Sequence, residues 1–484
     1  MMKKILSSFL MVNVLGLVAC ASSSPEPEAA TQEAVQPVEQ EQETDVLDTD
    51  MPSDTASESA TTSAGNAQEE TAGNVVGTEV AAEIEAVAGT ENMAGTGLSE
   101  PQPSNVDASR MVAVVPEQGD QVLDSEVQDL PPSEPVDYAS ERRAAMAAIR
   151  RGEVQDFTQF WAAVDNDPLM TAILYDEVKP HGTNALSALG GGSTVSLKYT
   201  DSADETAKAA IKPDQDLRQT MYRSEIAYYR LCQILECSYD VPVTRPVRFA
   251  QDDFYALYEA SSSKKNRGYR SKFEHLIWEK ESGSKFIYAA YKEWITPFEF
   301  FPIEVTGAWS PYLKDPDRDK PSLETFIRTL LASARPDSPK SSRKLLEYLE
   351  GKTTRDVLHQ ISDMILIDYL TNNWDRFSGA VNNYGANCHI QPGGLIAIDN
   401  GAAFPPWHAP RVVRRLHMVE TFSRTLVTNL RLIDIEELLV RLFPNPTHEE
   451  RKSLDRFRER YADAMKYIDK LIAKKGEENV LVFD

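Results

Sequence analysis

The sequence predicts an α+β domain with two lobes, a small β-rich lobe followed by a helical lobe, preceded by a disordered tail. Three observations lead to this prediction. Tyr, Phe and Trp are absent from residues 21–136 and appear from Tyr138 onward. Between about residues 190 and 295, glycine-rich turns alternate with short apolar stretches that are typical of strands. After residue 296, long stretches with apolar residues at helical spacing dominate. Residues 137–484 are ample for two lobes.

The negative charge of the chain is concentrated in the tail. The 484 residues have a formal net charge of −25, and residues 21–136 contain 25 Asp and Glu against one basic residue, Arg110. The part from 137 to 484 is therefore nearly neutral. Nucleic-acid binding needs a basic surface, so no nucleic-acid partner is expected. Docking on anionic lipid through a basic face is unexpected for the same reason.

The first twenty residues have the pattern of an export signal. Two lysines precede an apolar stretch, residues 9–18, that is too short to span a bilayer comfortably and favours a cleaved signal peptide. Leu17-Val18-Ala19-Cys20 resembles the lipobox of bacterial lipoproteins. The resemblance implies removal of residues 1–19 and acylation of Cys20, for example with palmitate. Ala21 resembles the outer-membrane sorting signal, so we expect a lipid-anchored protein of the bacterial cell envelope, at the outer membrane or cell surface. The alternative is an ordinary secretory signal with a chance cysteine.

Residues 20–136 are predicted to form an acidic tether that begins at the lipidated cysteine. Their composition of Ala, Ser, Thr, Glu, Gln, Pro and Gly cannot bury enough apolar surface to offset the entropy of the chain. Repulsion between like charges also extends such a segment. We interpret it as a spacer between membrane and domain, with binding of a cation or a partner as the alternative.

The small lobe is predicted to span about residues 137–295. Gly190, Gly191 and Gly192 form a loop before its first strand. Periodicity and turn residues predict helices at 137–151, 156–164 and around 222–235, and strands at 193–199, 208–212, 254–258 and 286–290.

The helical lobe is predicted to span about residues 296–484. Its predicted elements are a helix at 355–371, a polar loop at 372–383, a hairpin with strands 387–390 and 395–398, and helices at 433–442 and 448–474. The hairpin ends abruptly at Asp399-Asn400-Gly401, which leaves a carboxylate directly at its end.

Four features occur in an order that suits phosphoryl transfer: a glycine loop, a strand lysine, a helix glutamate, and two aspartates that flank the hairpin. Glycines let backbone N–H groups approach phosphates closely. A lysine supplies charge to phosphate oxygens, and a helix carboxylate holds that lysine in place. One aspartate can orient the attacking hydroxyl, and the other can bind a Mg²⁺ ion that bridges the phosphates.

These pieces resemble the protein-kinase-like fold and, within it, the secreted four-jointed and Golgi casein kinase group. The matching segments are Ala210–Pro213 (the lysine strand), Ser224–Leu231 (the helix), Val241–Val243 (the next strand), Asp368–Arg376 (the catalytic loop) and Ile398–Phe404 (the metal-binding turn). The resemblance extends in ordered pieces over roughly residues 185–405.

The resemblance implies roles for individual residues. Lys212 would bind nucleotide phosphates together with the glycine loop, with Glu225 as its ion-pair partner. Asp375 would be the catalytic aspartate, and Asp399 would bind the metal. The implied cofactors are ATP and either Mg²⁺ or Mn²⁺.

Two further positions follow from the same resemblance. An asparagine that helps to hold the metal is expected a few residues after the catalytic aspartate, and we assign it to Asn382, with Asn383 as the alternative. The hinge that would contact an adenine is expected near Tyr291–Ile295.

The resemblance therefore implies an envelope-anchored kinase that transfers a phosphoryl group to a hydroxyl of an envelope or extracellular protein or glycan. Nucleotidyl transfer on the same fold is one alternative. A pseudokinase that binds without turnover is another, because ATP is scarce outside the cytoplasm. The complete set of Lys212, Glu225, Asp375 and Asp399 favours an active enzyme.

The cysteines of the domain leave a further choice open. Cys232 and Cys237 are five residues apart, so a disulfide between them would need the helix to end between them. The alternative is that they are buried free thiols, as Cys388 in the hairpin would also be.

The lipobox makes a direct prediction. Cys20→Ser should leave the signal unprocessed and release the protein from membranes, because no acyl chain can be attached. Detergent partitioning and the mass of the mature amino terminus measure both effects. Unchanged partitioning of the variant would contradict the lipoprotein assignment.

Overall fold

The computed structural model describes residues 136–171, 175–190, 194–201, 206–217, 221–334, 342–377 and 387–484. All of these residues fall within one of two compact units into which the chain divides. They form a β-sheet lobe and a helical region, which confirms the predicted α+β class. Residues 1–135, with Cys20 and almost all of the predicted tether, lie outside the described residues. In the described part of the chain, no helix is long and apolar enough to cross a membrane.

The first lobe is built on one sheet of seven strands. Its strands are β1 (Asp176–Glu177), β2 (Ala185–Ala188), β3 (Leu197–Thr200), β4 (Ala207–Pro213), β5 (Thr244–Ala250), β6 (Glu279–Glu281) and β7 (Ser284–Glu293). The order across the sheet is β1-β5-β7-β4-β3-β2, and β6 pairs with β7. The pairs are antiparallel except for β1 with β5. Its helices are α4 (Tyr222–Leu235), α5 (Gln251–Glu259) and two 3₁₀ helices (Lys264–Asn266 and Tyr269–His275).

Strand β4 has two faces with different functions. Ala209 and Ile211 are fully buried in the apolar core of the sheet lobe. Because side chains alternate along a strand, Ala210 and Lys212 point to the opposite face. Lys212 is opposite Ala290 of β7, and Ala210 is opposite Lys292. The register of this pair of strands therefore brings two lysines to one face of the sheet.

Residues 254–258 form part of α5, so the strand predicted for them is wrong. Phe254, Leu257 and Tyr258 are buried at positions i, i+3 and i+4, the spacing of one helix face. Asp252 and Asp253 occupy the first helical turn, where negative charge is favourable. Aromatic residues suit a strand as well as a buried helix face, so a short segment of this kind does not distinguish the two by its pattern alone.

The second lobe is mainly helical. Its helices are α6 (Thr306–Lys314), α7 (Leu323–Ser333), α8 (Ser342–Tyr348), α9 (Thr354–Leu370), α10 (Pro410–Leu416), α11 (Arg424–Leu432), α12 (Ile435–Leu442) and α13 (His448–Lys475). Its short strands are β8 (Glu299–Phe300), β9 (Cys388–Gln391), β10 (Gly394–Ala397), β11 (Phe422–Ser423) and β12 (Leu481–Phe483). The chain also forms 3₁₀ helices at Asp375–Phe377, Asn400–Ala402 and Glu477–Asn479.

Helix α9 is the central element of this lobe. Thr353 and Asp356 form a capping box at its start, which satisfies backbone N–H groups that lack partners within the helix. Most of its side chains from Val357 onward are buried. Its last turn leads into the loop that carries Asp375, and the β9–β10 hairpin follows with a regular antiparallel register. The predicted helix and hairpin are therefore confirmed in order, and residues 378–383 of the predicted loop lie outside the described residues.

The first helices of the domain, α1 (Tyr138–Arg150), α2 (Thr158–Asn166) and α3 (Pro168–Thr171), pack with the helical lobe. Phe160 and Trp161 belong to the same apolar core as α9 and α11–α13. Arg150 donates a hydrogen bond to Asn429 at 2.9 Å. Arg150 also forms an ion pair with Glu236 at the end of α4 at 3.0 Å, so these helices, predicted as part of the small lobe, contact both α4 and the helical lobe.

The three cysteines of the described chain are free thiols. Helix α4 ends at Leu235, and Glu236 adopts a left-handed conformation, so the helix does end between Cys232 and Cys237. The thiol of Cys232 donates a hydrogen bond to the hydroxyl of Tyr239 at 3.2 Å. Of the two alternatives, the structure therefore has free thiols.

Asp214, directly after β4, predicts a pH dependence of stability. Burial, with smaller contributions from Glu279 and Glu450, raises its pKa to about 7, whereas an Asp in an unfolded chain titrates near about 4. The folded protein therefore keeps a proton that the unfolded chain releases. This contribution is fully present below about pH 4 and is lost as the pH rises through 7, by up to about 1.4 kcal/mol per pH unit.

Asp214→Asn should remove this part of the slope. The free energy of unfolding, measured in urea between about pH 5 and 8, decides the question. Asp319→Asn is the control, because Asp319 is exposed. A slope in Asp214→Asn equal to that of the parent would show that Asp214 does not titrate as stated.

Candidate active site

Lys212 and Asp399 face each other between the sheet lobe and the hairpin. The Lys212 ammonium donates a hydrogen bond to the Asp399 carboxylate. Burial opposes the charged form of Lys212, but Asp399 and then Glu225 outweigh it and raise the lysine's pKa. Burial likewise opposes ionisation of Asp399, but Lys212 and Lys292 outweigh it and lower its pKa to about 2. Both groups are therefore charged at neutral pH.

Glu225 forms its ion pair with Lys292, and the predicted pair with Lys212 is wrong. Lys292 donates to the Glu225 carboxylate at 2.9 Å, and the side chains are 6% and 0% exposed. The register of β4 and β7 explains this choice, because it places Lys292 next to Lys212 on the same face of the sheet. Lys212 therefore forms its ion pair with Asp399 at the end of the hairpin, and the carboxylate of helix α4 pairs with Lys292 instead.

The Glu225 carboxylate also holds the turn after the hairpin. Its Oε2 atom accepts a hydrogen bond from the backbone N–H of Asn400 at 3.0 Å, in addition to that of Lys292. Its Oε1 atom is buried and has no hydrogen-bond partner. A buried carboxylate oxygen without a partner is costly, so this atom can accept a further ligand.

Asp375 opens the 3₁₀ helix Asp375–Phe377 and is half-buried. The side-chain amide of Asn387 donates to its backbone carbonyl at 2.7 Å and to its carboxylate at 3.0 Å. Asp375 is also close enough to Lys212 to contribute to the rise in the lysine's pKa. The structure therefore brings together Lys212, Glu225, Asp375 and Asp399.

Arg376 fastens the two aspartate-bearing turns to each other. Its guanidinium is buried, forms an ion pair with Asp368 at 3.1 Å and donates to the carbonyl of Ile398 at 2.7 Å. It also donates to the side chain of Asn400 and to the carbonyl of Asn387. The two turns are therefore tied to each other through Arg376 and Asp368.

The predicted glycine loop is described only at its first residue. Gly190 follows β2 and has a φ of +78°, a conformation that glycine adopts without strain. The backbone N–H of Leu189 donates to Ser196 at 3.1 Å, so the loop connects the antiparallel strands β2 and β3. Gly191 and Gly192 lie outside the described residues.

The donor set fits a metal ion that is shared with a nucleotide. The described residues contain no group of three or more His, Cys, Asp or Glu side chains that could hold a metal on their own. Mg²⁺ commonly takes only one or two carboxylates and completes its shell with phosphate oxygens and water. Asp399 and the unpartnered Oε1 of Glu225 are suitable oxygen donors. Asn382 and the alternative Asn383 lie outside the described residues.

Three residues of the site were missed from the sequence. Lys292 has no local signature, because only the register of two strands far apart in the chain selects it. Asn387 acts by donating a hydrogen bond to the backbone carbonyl of Asp375, and Asn400 acts by accepting one from Arg376. The position of Asn400 beside a predicted metal ligand was the one available signal.

The sequence order and the placement of these parts match the predicted arrangement of a small β-rich lobe followed by a helical lobe. A glycine-containing hairpin, a lysine strand and a glutamate helix lie in the sheet lobe. The Asp375 turn and the hairpin that ends at Asp399 lie in the helical lobe. The predicted fold is confirmed at this level.

Comparison with known proteins finds no matching family model and no matching curated protein. The solved structure of Fam20 from hydra, determined with sugar, is 14% identical. The match covers 72% of this chain and 98% of that chain, with a TM-score of 0.37. An aminoglycoside phosphotransferase from Alicyclobacillus acidocaldarius is also 14% identical, covering 64% of this chain and 96% of that chain, with a TM-score of 0.17.

The corrected ion pair can be tested by a double-mutant cycle. Lys292→Met should destabilise the protein by about 3–5 kcal/mol, because it leaves the Glu225 charge buried without its partner. Adding Glu225→Gln should recover part of this loss, so the coupling between the two positions should exceed about 1 kcal/mol. Urea unfolding without nucleotide measures each free energy.

Lys212→Met is the matched control in this cycle. Its direct contact is Asp399, so its coupling with Glu225→Gln should be smaller than that of Lys292→Met. A larger coupling for Lys212 would restore the pair that was predicted from the sequence.

Proposed function

We propose that this protein is an ATP-dependent kinase that transfers a phosphoryl group to a hydroxyl of a protein or glycan. One observation carries the proposal: Lys212, Glu225, Asp375 and Asp399 converge between the two lobes, although 187 residues separate the first from the last. An isolated member of this set has an ordinary structural explanation. The assembled set has the charges that phosphoryl transfer uses.

The roles of the residues follow from their surroundings. Lys212 stays charged and would bind phosphate oxygens. The buried Lys292–Glu225 ion pair would hold strand β7 and helix α4 in position beside it. Asp375 would orient the acceptor hydroxyl, because Asn387 holds its carboxylate and its backbone in place. Positioning and charge stabilisation account for most of the catalysis in such reactions.

Asp399 and Glu225 would hold a Mg²⁺ or Mn²⁺ ion, with Asn382 as the further ligand expected from the sequence. The ion would neutralise developing negative charge on the phosphates. The acidity of Asp399 keeps this ligand deprotonated at neutral pH. Lys212 occupies its carboxylate in the protein alone, so binding of metal and nucleotide would exchange that contact for phosphate contacts.

The place of action forms part of the proposal. The lipobox sequence ending at Cys20 supports a lipid anchor in the bacterial envelope, at the outer membrane or cell surface. The acidic tether that follows would let the domain reach acceptors on envelope or extracellular proteins and glycans.

A pseudokinase remains the competing function. The observation that favours it is the Lys212–Asp399 ion pair, which occupies both the proposed phosphate-binding and the proposed metal-binding side chain. Nucleotidyl transfer would use the same charges with a different phosphorus atom under attack. The mass of the product distinguishes the three functions. A kinase gives a phosphoryl adduct, a nucleotidyltransferase gives a nucleotidyl adduct, and a pseudokinase gives no adduct.

Turnover by the full-length protein tests the proposal. Labelled ATP, Mg²⁺ or Mn²⁺ and envelope extract should give a phosphorylated product that is identified by mass. Asp375→Asn should lower turnover by a hundredfold or more, or about 3 kcal/mol in the barrier, because the acceptor loses its orienting carboxylate. Its affinity for Mg·ATP should stay within several-fold of the parent.

Asp399→Ala and Asp319→Asn complete this experiment. Asp399→Ala should lose metal-dependent nucleotide binding, while the exposed Asp319→Asn should behave like the parent. Normal turnover in Asp375→Asn would remove that residue from the mechanism. Mg·ATP binding by the parent without any product would favour the pseudokinase.

A further inference from the structure

The backbone ladder between strands β3 and β4 lacks a donor close to Lys212. Leu197 of β3 is opposite Ile211 of β4, so the same register would bring Val195 opposite Pro213 two residues further on. Proline has no N–H group to donate to a neighbouring strand. The carbonyl of Val195 therefore needs a hydrogen-bond donor from elsewhere in the protein.

The side-chain amide of Gln215 supplies this donor. Its Nε2 atom donates to the carbonyl of Val195 at 2.9 Å and to that of Pro213 at 3.2 Å. Its Oε1 atom accepts a hydrogen bond from the backbone N–H of Val195 at 2.7 Å. Gln215 is 4% exposed and Val195 is fully buried. Gln215 therefore connects β3 and β4 at the position where the backbone of Pro213 cannot.

Tyr269 binds the same stretch of chain, residues 194–196, from its other edge. In a strand, the polar backbone groups of successive residues point to opposite edges. The Tyr269 hydroxyl accepts a hydrogen bond from the backbone N–H of Ser196 at 2.9 Å. It also lies within donating distance of the carbonyls of Ser196 and Thr194, at 3.1 and 3.2 Å. Side chains therefore hold residues 194–196 on both edges.

A single segment of the chain supports both side chains. Tyr269 opens the 3₁₀ helix Tyr269–His275, and directly after this helix Leu276 pairs with Gln215 in an antiparallel bridge. Two backbone hydrogen bonds, of 3.0 and 3.1 Å, flank the bridge. The backbone positions of Gln215 and Tyr269 are thereby fixed relative to each other.

Residues 194–196 run beside Lys212. The register of β3 and β4 would bring Ser196 opposite Lys212, on the same face of the sheet. Burial raises the pKa of the Tyr269 hydroxyl, while its bond to Ser196 and the charge of Lys212 oppose this rise. The hydroxyl therefore also lies near the lysine that is proposed to bind phosphate.

We infer that Gln215 and Tyr269 are positioning residues that hold residues 194–196 beside Lys212 and thereby set the affinity of the site for nucleotide phosphates. The inference rests on the proposed function, because it concerns the nucleotide-binding step of that reaction. Without the Gln215 amide, the N–H and the carbonyl of Val195 would be buried without partners, which is costly. The strand would then shift towards other partners, and the polar groups beside Lys212 would no longer be held in one arrangement.

Calorimetric titration of the full-length protein with Mg·ATP tests the inference. Gln215→Met keeps the length of the side chain but removes its amide, and it should weaken the affinity by about tenfold or more. Tyr269→Phe removes only the hydroxyl and should weaken the affinity by about threefold or more. Where turnover is measurable, KM for ATP should rise while kcat stays within several-fold, because Asp375 and Asp399 are unchanged.

Two variants in the helical lobe separate positioning from general stability. Asn429→Leu makes the same exchange as Gln215→Met at a buried amide that donates to the carbonyl of Leu235 at 3.0 Å. Tyr461→Phe removes a hydroxyl that donates to the carbonyl of Leu430 at 2.9 Å. Both should lower the free energy of unfolding in urea and keep the affinity for Mg·ATP.

Three results would overturn the inference. They are an affinity equal to that of the parent in Gln215→Met or Tyr269→Phe, an equal loss of affinity in Asn429→Leu, and a parent that does not bind Mg·ATP. If Gln215→Met fails to fold, Tyr269→Phe decides alone. Binding of Mg·ATP without any product would contradict the proposed kinase activity and leave this inference standing. Turnover with unchanged affinity in both variants would do the reverse.

Discussion

The buried guanidinium of Arg376 is the interaction on which the candidate site depends. It joins Asp368 at the end of α9 to Ile398 and Asn400 after the hairpin, and it follows Asp375 directly in the chain. Burial alone would disfavour its charge, but Asp368 outweighs burial and raises its pKa. One charged group therefore sets the distance between two turns that contribute aspartates. Such a buried charge is costly unless it is paired. Replacing either Arg376 or Asp368 alone would leave the other as an unpaired buried charge.

The register of strands β4 and β7 brings the charged side chains of the sheet lobe to the site. Two lysines reach the site from adjacent strands, and each finds a carboxylate from a different place: α4 for Lys292, and the end of the hairpin for Lys212. Glu225 then contacts the hairpin turn through the backbone of Asn400. The lobes are thus connected by alternating charges, and a ligand that replaces one contact affects its neighbours.

The sequence predicted those parts of the fold in which the local pattern and the tertiary structure agree. Helix α4 has the predicted bounds, and α9 and the following hairpin lie within a residue or two of theirs. The prediction failed for α5, because a short segment rich in aromatic residues fits a strand as well as one face of a helix. It also failed for the partner of Glu225, because register between distant strands is invisible along the chain. The catalytic and metal assignments of Asp375 and Asp399 stay predictions, now with a geometry that favours them.

The packing of α1 and α2 against the last helices has a consequence for how the chain is made. Arg150 and its partner Asn429 are 279 residues apart, and Phe160 and Trp161 are buried in a core completed near the carboxyl terminus. At about 5–20 residues per second, a ribosome needs roughly a quarter of a minute to a minute to supply that partner. During this time the apolar faces of both helices are without their native contacts. The native contacts of the start of the domain therefore form only after almost the whole chain has been made.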